Sequence, residues 1–193
     1  MAMPIPASIP RYTIDDLDAF PDDGNKYDLV DGVLLVTPAP LPCHEVVVSR
    51  LCGYVLHFFG PRGLASVFTR GAVEVAPRNH LEPDLLVIPN AAFTTLTSRT
   101  RWTAIQQRWL AVEVSGSSSR IYNRDFKRPA YLALGVGEVW RADLRDACVY
   151  VSRPEAPAER RVTGTLTWHP PAVPGPLRLE VPELFEGIRD EAP

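Results

Sequence analysis

Two short apolar runs, each carrying one embedded carboxylate, constrain this chain more than anything else in it. One is Glu82-Pro83-Asp84-Leu85-Leu86-Val87-Ile88-Pro89 and the other is Leu110-Ala111-Val112-Glu113-Val114-Ser115. Runs of this length, rich in aliphatic residues and bounded by Pro and Ser, predict buried strands. A carboxylate on such a strand either faces solvent or, if drawn inside, must be paired, hydrogen-bonded or bound to a metal, because an isolated buried ion is costly. Residues 122–131 follow and carry Lys127. If they sit at adjacent strand positions, Asp84 and Glu113 supply the minimum that a hard cation such as Mg²⁺ asks of a protein, with water and phosphate completing its shell. A lysine beside them would steady an attacking water or the charge of a transition state.

The rest of the chain predicts a mixed sheet with helices. Thr13 is placed to cap a short helix over residues 13–20, whose first turn is acidic. Residues 26–30 and 33–36 read as a hairpin across Asp31-Gly32. Val47, Leu51, Tyr54, Val55 and Phe58 recur at helical spacing within residues 43–59, with His44 at the N-terminal end. Residues 65–69 and 72–76 read as a strand pair turning at Arg70-Gly71. Residues 90–108 lack a period and are expected to form a loop over the site; Trp102 within it reads first as a packing residue, with base stacking among its arginines as the alternative. A turn at 116–119 leads into a helix over about 121–134, which Pro129 should distort. Strand signals recur at 139–142, 147–151, 161–167 and 177–181, and a last helical turn is expected near Leu184. Strands and helices around one mixed sheet place the fold in the α/β (α+β) class, as a single domain over residues 1–193.

Composition narrows the remaining classes. No apolar run reaches the roughly 20 residues that a membrane helix needs, and the first residues lack the pattern of a signal peptide. Cys43, Cys52 and Cys148 are odd in number and lack metal-finger spacing, which with the preceding points predicts a soluble cytoplasmic protein. The net charge is -3, yet residues 99–128 hold Arg99, Arg101, Arg108, Arg120, Arg124, Lys127 and Arg128 against only Glu113 and Asp125. A basic segment on both sides of Glu113 is what a phosphate-bearing partner requires, although a solvated Arg-rich face would look the same. Arg101, Arg120, Arg124 and Arg128 are its candidate nucleic-acid contacts.

Pro83-Asp84 followed by Glu113-Val114-Ser115 resembles the PD-(D/E)XK nuclease superfamily. More closely, the chain resembles the Uma-two family of restriction-endonuclease-like proteins, over about residues 11–187. The matching pieces are Tyr27-Asp28-Leu29-Val30-Asp31-Gly32, His44, Glu82-Pro83-Asp84, Leu110-Ala111-Val112-Glu113-Val114, Lys127-Arg128-Pro129-Ala130-Tyr131 and Gly135-Val136-Gly137-Glu138-Val139-Trp140. The resemblance implies a restriction-endonuclease-like central sheet flanked by helices, with an N-terminal hairpin extension. It also implies Mg²⁺- or Mn²⁺-dependent hydrolysis of nucleic acid, DNA being the expected form. Asp84 and Glu113 would hold the metal and Lys127 would act in catalysis; His44, Asp28, Ser115 and Asn123 are the neighbouring candidates for support. Two departures stand out: Ser115 replaces the superfamily lysine two residues after the glutamate, and Asn123 replaces the family's aspartate four residues before Lys127. They favour an alternative of another class, a catalytically silent nuclease fold serving as a binding module and self-associating as a homodimer.

Overall fold

The computed structural model of the chain describes residues 10–93, 96–116 and 119–188. The predicted hairpin is present as β1 (Lys26–Val30) and β2 (Val33–Thr37). Its turn places Asp31 and Gly32 at positive φ, and a Cβ at Gly32 would lie 2.8 Å from the Tyr12 carbonyl oxygen, so only glycine fits there. The helix α1 (Pro42–Phe59) begins with Pro42 in its first turn, where the missing N–H costs nothing. Then come β3 (Ala65–Phe68), β4 (Val73–Val75), β5 (Asn79–Leu81), β6 (Leu85–Pro89) and β7 (Arg108–Ser115). A π-helical turn (Tyr122–Lys127) runs into α2 (Arg128–Ala133). The chain closes with β8 (Val136–Asp143), β9 (Cys148–Arg153), β10 (Ala156–Val162), β11 (Thr165–Trp168), β12 (Leu177–Glu180) and α3 (Val181–Leu184).

The central sheet is mixed and six-stranded, in the order β10-β9-β8-β7-β6-β3. Only β7 and β8 run parallel, and the π turn and α2 make the crossover that such a pair needs. Side-chain alternation divides this sheet into two apolar faces. Leu85, Val87, Leu110, Val112 and Trp140 pack with Val47, Val55 and Phe59 of α1 and with Trp168. Leu86, Ile88, Ala111 and Val139 pack with Ala130 and Tyr131 of α2. A second, four-stranded sheet has the order β2-β1-β5-β4, so the hairpin extension is part of a larger wall.

Three expectations change. Residues 65–76 do not form a strand pair: β3 joins β6 in the central sheet, while β4 joins β5 in the four-stranded one. Arg70-Gly71 does turn the chain, but it hands it from one sheet to the other. Residues 161–167 divide between β10 and β11, which belong to different sheets. The described residues of the 90–108 segment include short 3-10 turns at Asn90–Ala92 and Trp102–Ala104, and none of them lines the site cavity described below. Trp102 packs edge-on against Phe68, with ring centroids 5.2 Å apart, which accounts for an indole among arginines without a nucleobase. The 116–119 turn includes residues 117 and 118, outside the described residues.

Pro129 distorts its helix as expected. It has no N–H to donate, and the chain ahead of it widens so that the Arg128 N–H bonds to the Asn123 carbonyl, five residues back.

Candidate active site

The antiparallel register of β6 and β7 builds the site. Leu85 pairs with Val112, Leu86 with Ala111 and Val87 with Leu110; in each pair the residue numbers sum to 197. One further step along that register sets Asp84 opposite Glu113, and alternation puts both on the α2 side of the sheet. Asp84 stands just where the ladder ends, and its Oδ2 accepts the Val114 N–H at 2.8 Å, replacing a backbone partner. Both carboxylates are buried and both line a cavity of about 520 Å³.

Charged and polar side chains from several elements surround this pair. Lys127, from the π turn, is 1% exposed, with Nζ 2.6 Å from Asp28 Oδ2 and 3.2 Å from Glu113 Oε1. Tyr131, one turn further on, donates its hydroxyl to the same Glu113 Oε1 at 2.6 Å. Asp28 reaches in from β1 and is anchored by the Glu82 N–H at 2.7 Å. His44, at the start of α1, places Nε2 2.9 Å from Asp84 Oδ2, and Lys26 forms an ion pair with Asp84 Oδ1. Ser115 and Asn123 are bonded to each other, Asn123 Nδ2 donating to Ser115 Oγ at 3.0 Å. The two departures from the family pattern are therefore one local interaction. Asn123 Oδ1 is buried with no hydrogen-bond partner among the described residues, and the residue lines the cavity.

The titration behaviour follows from these contacts. Burial pushes the Asp84 carboxyl up, but the His44 hydrogen bond and the Lys26 charge outweigh it and hold Asp84 well below the usual range. At Glu113 burial wins and raises the pKa, only partly offset by Lys127. Burial would lower Lys127, but the charges of Glu113 and Asp28 hold it protonated well above the ordinary lysine value. His44 is raised because Asp84 overcomes its burial.

The structure thus brings together Asp84, Glu113, Lys127, Asp28, His44, Ser115 and Asn123. It does not bring the four candidate arginines to the cavity. Arg120 pairs with Asp143 at 2.9 Å and with Asp146; Arg124 pairs with Asp125 at 2.7 Å. Arg128 donates to the Pro157 and Arg124 carbonyls, and Arg101 lies 3.6 Å from Asp15. Two residues of the site, Lys26 and Tyr131, escaped the sequence reading. Tyr131 was within reach of it, because Lys127 and Tyr131 are four apart on a helix and share a face. Lys26 was too, once Asp28 was named, because residues two apart on a strand point the same way.

Among the described residues no cluster of three or more His, Cys, Asp or Glu is arranged to hold a metal. The donor set nonetheless fits a hard divalent ion that takes only two carboxylates. Both bonds to Glu113 fall on Oε1, leaving Oε2 without a protein partner among the described residues.

Comparison with known proteins agrees with this architecture. A family model described as "Uma2: Putative restriction endonuclease" matches residues 14–188. Among solved structures, a "putative nuclease" from Anabaena variabilis superposes with a TM-score of 0.71 at 17% sequence identity, covering 91% of this chain and 98% of that one. At that identity the likeness speaks for the fold. No curated protein matches the sequence.

Proposed function

The chain belongs to the Uma2 family, and from that premise we propose that it is a divalent-metal-dependent endonuclease that hydrolyses phosphodiester bonds in nucleic acid, with DNA as the expected substrate. The observation that carries this reading is the meeting of Asp84, Glu113 and Lys127 at one cavity. Asp84 and Glu113 would hold Mg²⁺ or Mn²⁺, which when bound supplies Lewis-acid stabilisation of a phosphoryl oxygen and a more acidic water. Lys127, fixed between Asp28 and Glu113, presents a permanent positive charge where negative charge develops on the phosphate. Tyr131 and Asp28 hold Glu113 and Lys127 in place, and His44 orients Asp84. Asn123 offers an unused acceptor to the bound substrate or a water.

The test pairs binding with cleavage. Calorimetric titration with Mn²⁺ should reveal a site in the wild-type protein that Asp84→Asn and Glu113→Gln each abolish. Nicking of supercoiled plasmid in Mn²⁺ should be lost in those variants and in Lys127→Met. Unchanged metal binding in both carboxylate variants would refute the assignment. The second reading, a silent nuclease fold used as a binding module, draws support from Asp84, whose two oxygens already serve Lys26, His44 and the Val114 N–H. It predicts nucleic-acid binding without nicking.

A further inference from the structure

The sequence contains 18 arginines and only two lysines, and both lysines, Lys26 and Lys127, lie in the site. Everywhere else the chain meets its need for a cation with guanidinium. Lysine differs in carrying a compact, strongly hydrated charge on a flexible stem, without the planar fork that locks arginine onto a carboxylate. For Lys127, wedged among buried groups, compactness is reason enough. Lys26 is in a different position: its side chain is 26% exposed, and among the described residues its one ion-pair partner is Asp84. Two cavities meet there, one of about 520 Å³ and one of about 610 Å³, and both are lined by Lys26 and Asp84.

The charges near the cavity are almost balanced without any added ion. Asp28, Asp84 and Glu113 face Lys26 and Lys127, and the Lys127 charge is committed to Asp28 and Glu113. Asp84 owes its compensation to Lys26 and to the polar contacts of His44 and Val114. A divalent cation approaching Asp84 therefore meets a carboxylate whose Oδ1 already holds a positive charge.

Resting on the metal-dependent reading above, we propose that Lys26 is a resident counter-ion of Asp84 which a divalent metal displaces as it binds. The residue is a positioning group: it holds Asp84 in place, lowers metal affinity by competition, and swings off Asp84 on exchange. Its flexible stem lies at the junction of the two cavities, so the released ammonium group stays beside the site.

Two measurements test this on the full chain. In the first, free Mn²⁺ is followed by electron paramagnetic resonance during titration of wild type, Lys26→Met and Lys26→Arg. Removing the competitor should tighten Mn²⁺ binding about tenfold or more, and arginine, gripping Asp84 in a fork, should weaken it below wild type. A structural role alone would not make the methionine variant bind more tightly. In the second, wild-type protein is treated with an amine-reactive reagent and Lys26 modification is read by mass spectrometry. Saturating Mg²⁺ should raise labelling of Lys26 several-fold while Lys127 stays protected. This measurement needs no variant and decides the matter if Lys26→Met fails to fold. Equal Mn²⁺ affinity in wild type and Lys26→Met, or Lys26 labelling that ignores Mg²⁺, overturns the exchange while leaving the metal site standing. Absence of Mn²⁺ binding in every protein overturns both readings together.

Discussion

His80 should make the stability of this fold depend on pH in the neutral-to-alkaline range. Its Nδ1 lies 2.9 Å from Glu74 Oε1 and its Nε2 lies 3.3 Å from Glu82 Oε1. Burial alone would lower the imidazole pKa, but the hydrogen bonds and charges of Glu74 and Glu82 push it up to about 9, from 6.5. The folded form therefore holds a proton that the unfolded chain releases. The resulting stabilisation is complete below about pH 6.5 and is lost as the pH rises through about 9. A gap of that size corresponds to roughly 3 kcal/mol at ~1.4 kcal/mol per pH unit. The Glu82 side chain is 43% exposed, and solvent screening of that partner trims the expected effect to roughly 2 kcal/mol. Urea unfolding of wild type and His80→Gln, each near pH 6 and near pH 9, isolates the contribution, because titrations common to both proteins cancel. Wild type should lose roughly 2 kcal/mol more than the variant across that interval. Equal losses would show that the Glu74–His80 pair is not carrying an extra proton in the folded state.

Three further outcomes follow from the packing. Lys127→Met strips compensation from buried Asp28 and Glu113 and should cost about 3–5 kcal/mol in urea unfolding, so activity assays on that variant need a parallel measurement of the folded fraction. Tyr131→Phe leaves Glu113 Oε1 with Lys127 as its remaining partner among the described residues and should cost about 1–3 kcal/mol, visible as a lowered midpoint in thermal unfolding. Gly32→Ala combines a φ of +78° with a Cβ 2.8 Å from the Tyr12 carbonyl; it should cost at least about 1–2 kcal/mol, and an unchanged melting temperature would contradict the turn geometry.

What the sequence made legible was the local and the periodic. The buried-strand character of residues 85–89 and 110–115 was readable because aliphatic runs bounded by Pro and Ser have few other uses. Their carboxylates were conspicuous because a buried charge demands a reason. The hairpin, α1 and the disturbance at Pro129 were equally plain, each set by its own neighbours. What could not be read was partnership across distance. Arg70-Gly71 announces a turn but does not say which sheet receives each flanking strand. The Arg-rich segment looked like a free basic surface, yet Arg120 is taken up by Asp143 and Asp146, supplied by β8 and the turn after it. The Lys26–Asp84 pair belongs to the same class: Asp28 marks the face of β1 that Lys26 shares, but the partner on that face is 58 residues away.

The alternation of β1 has a mechanical corollary. Lys26 and Asp28 leave the same strand on the same side, one to neutralise Asp84 and the other to neutralise Lys127. Two counter-charges of opposite sign are thus carried by one strand, two residues apart. Any motion of the hairpin wall would retune both poles of the cleft at once, as a geared pair.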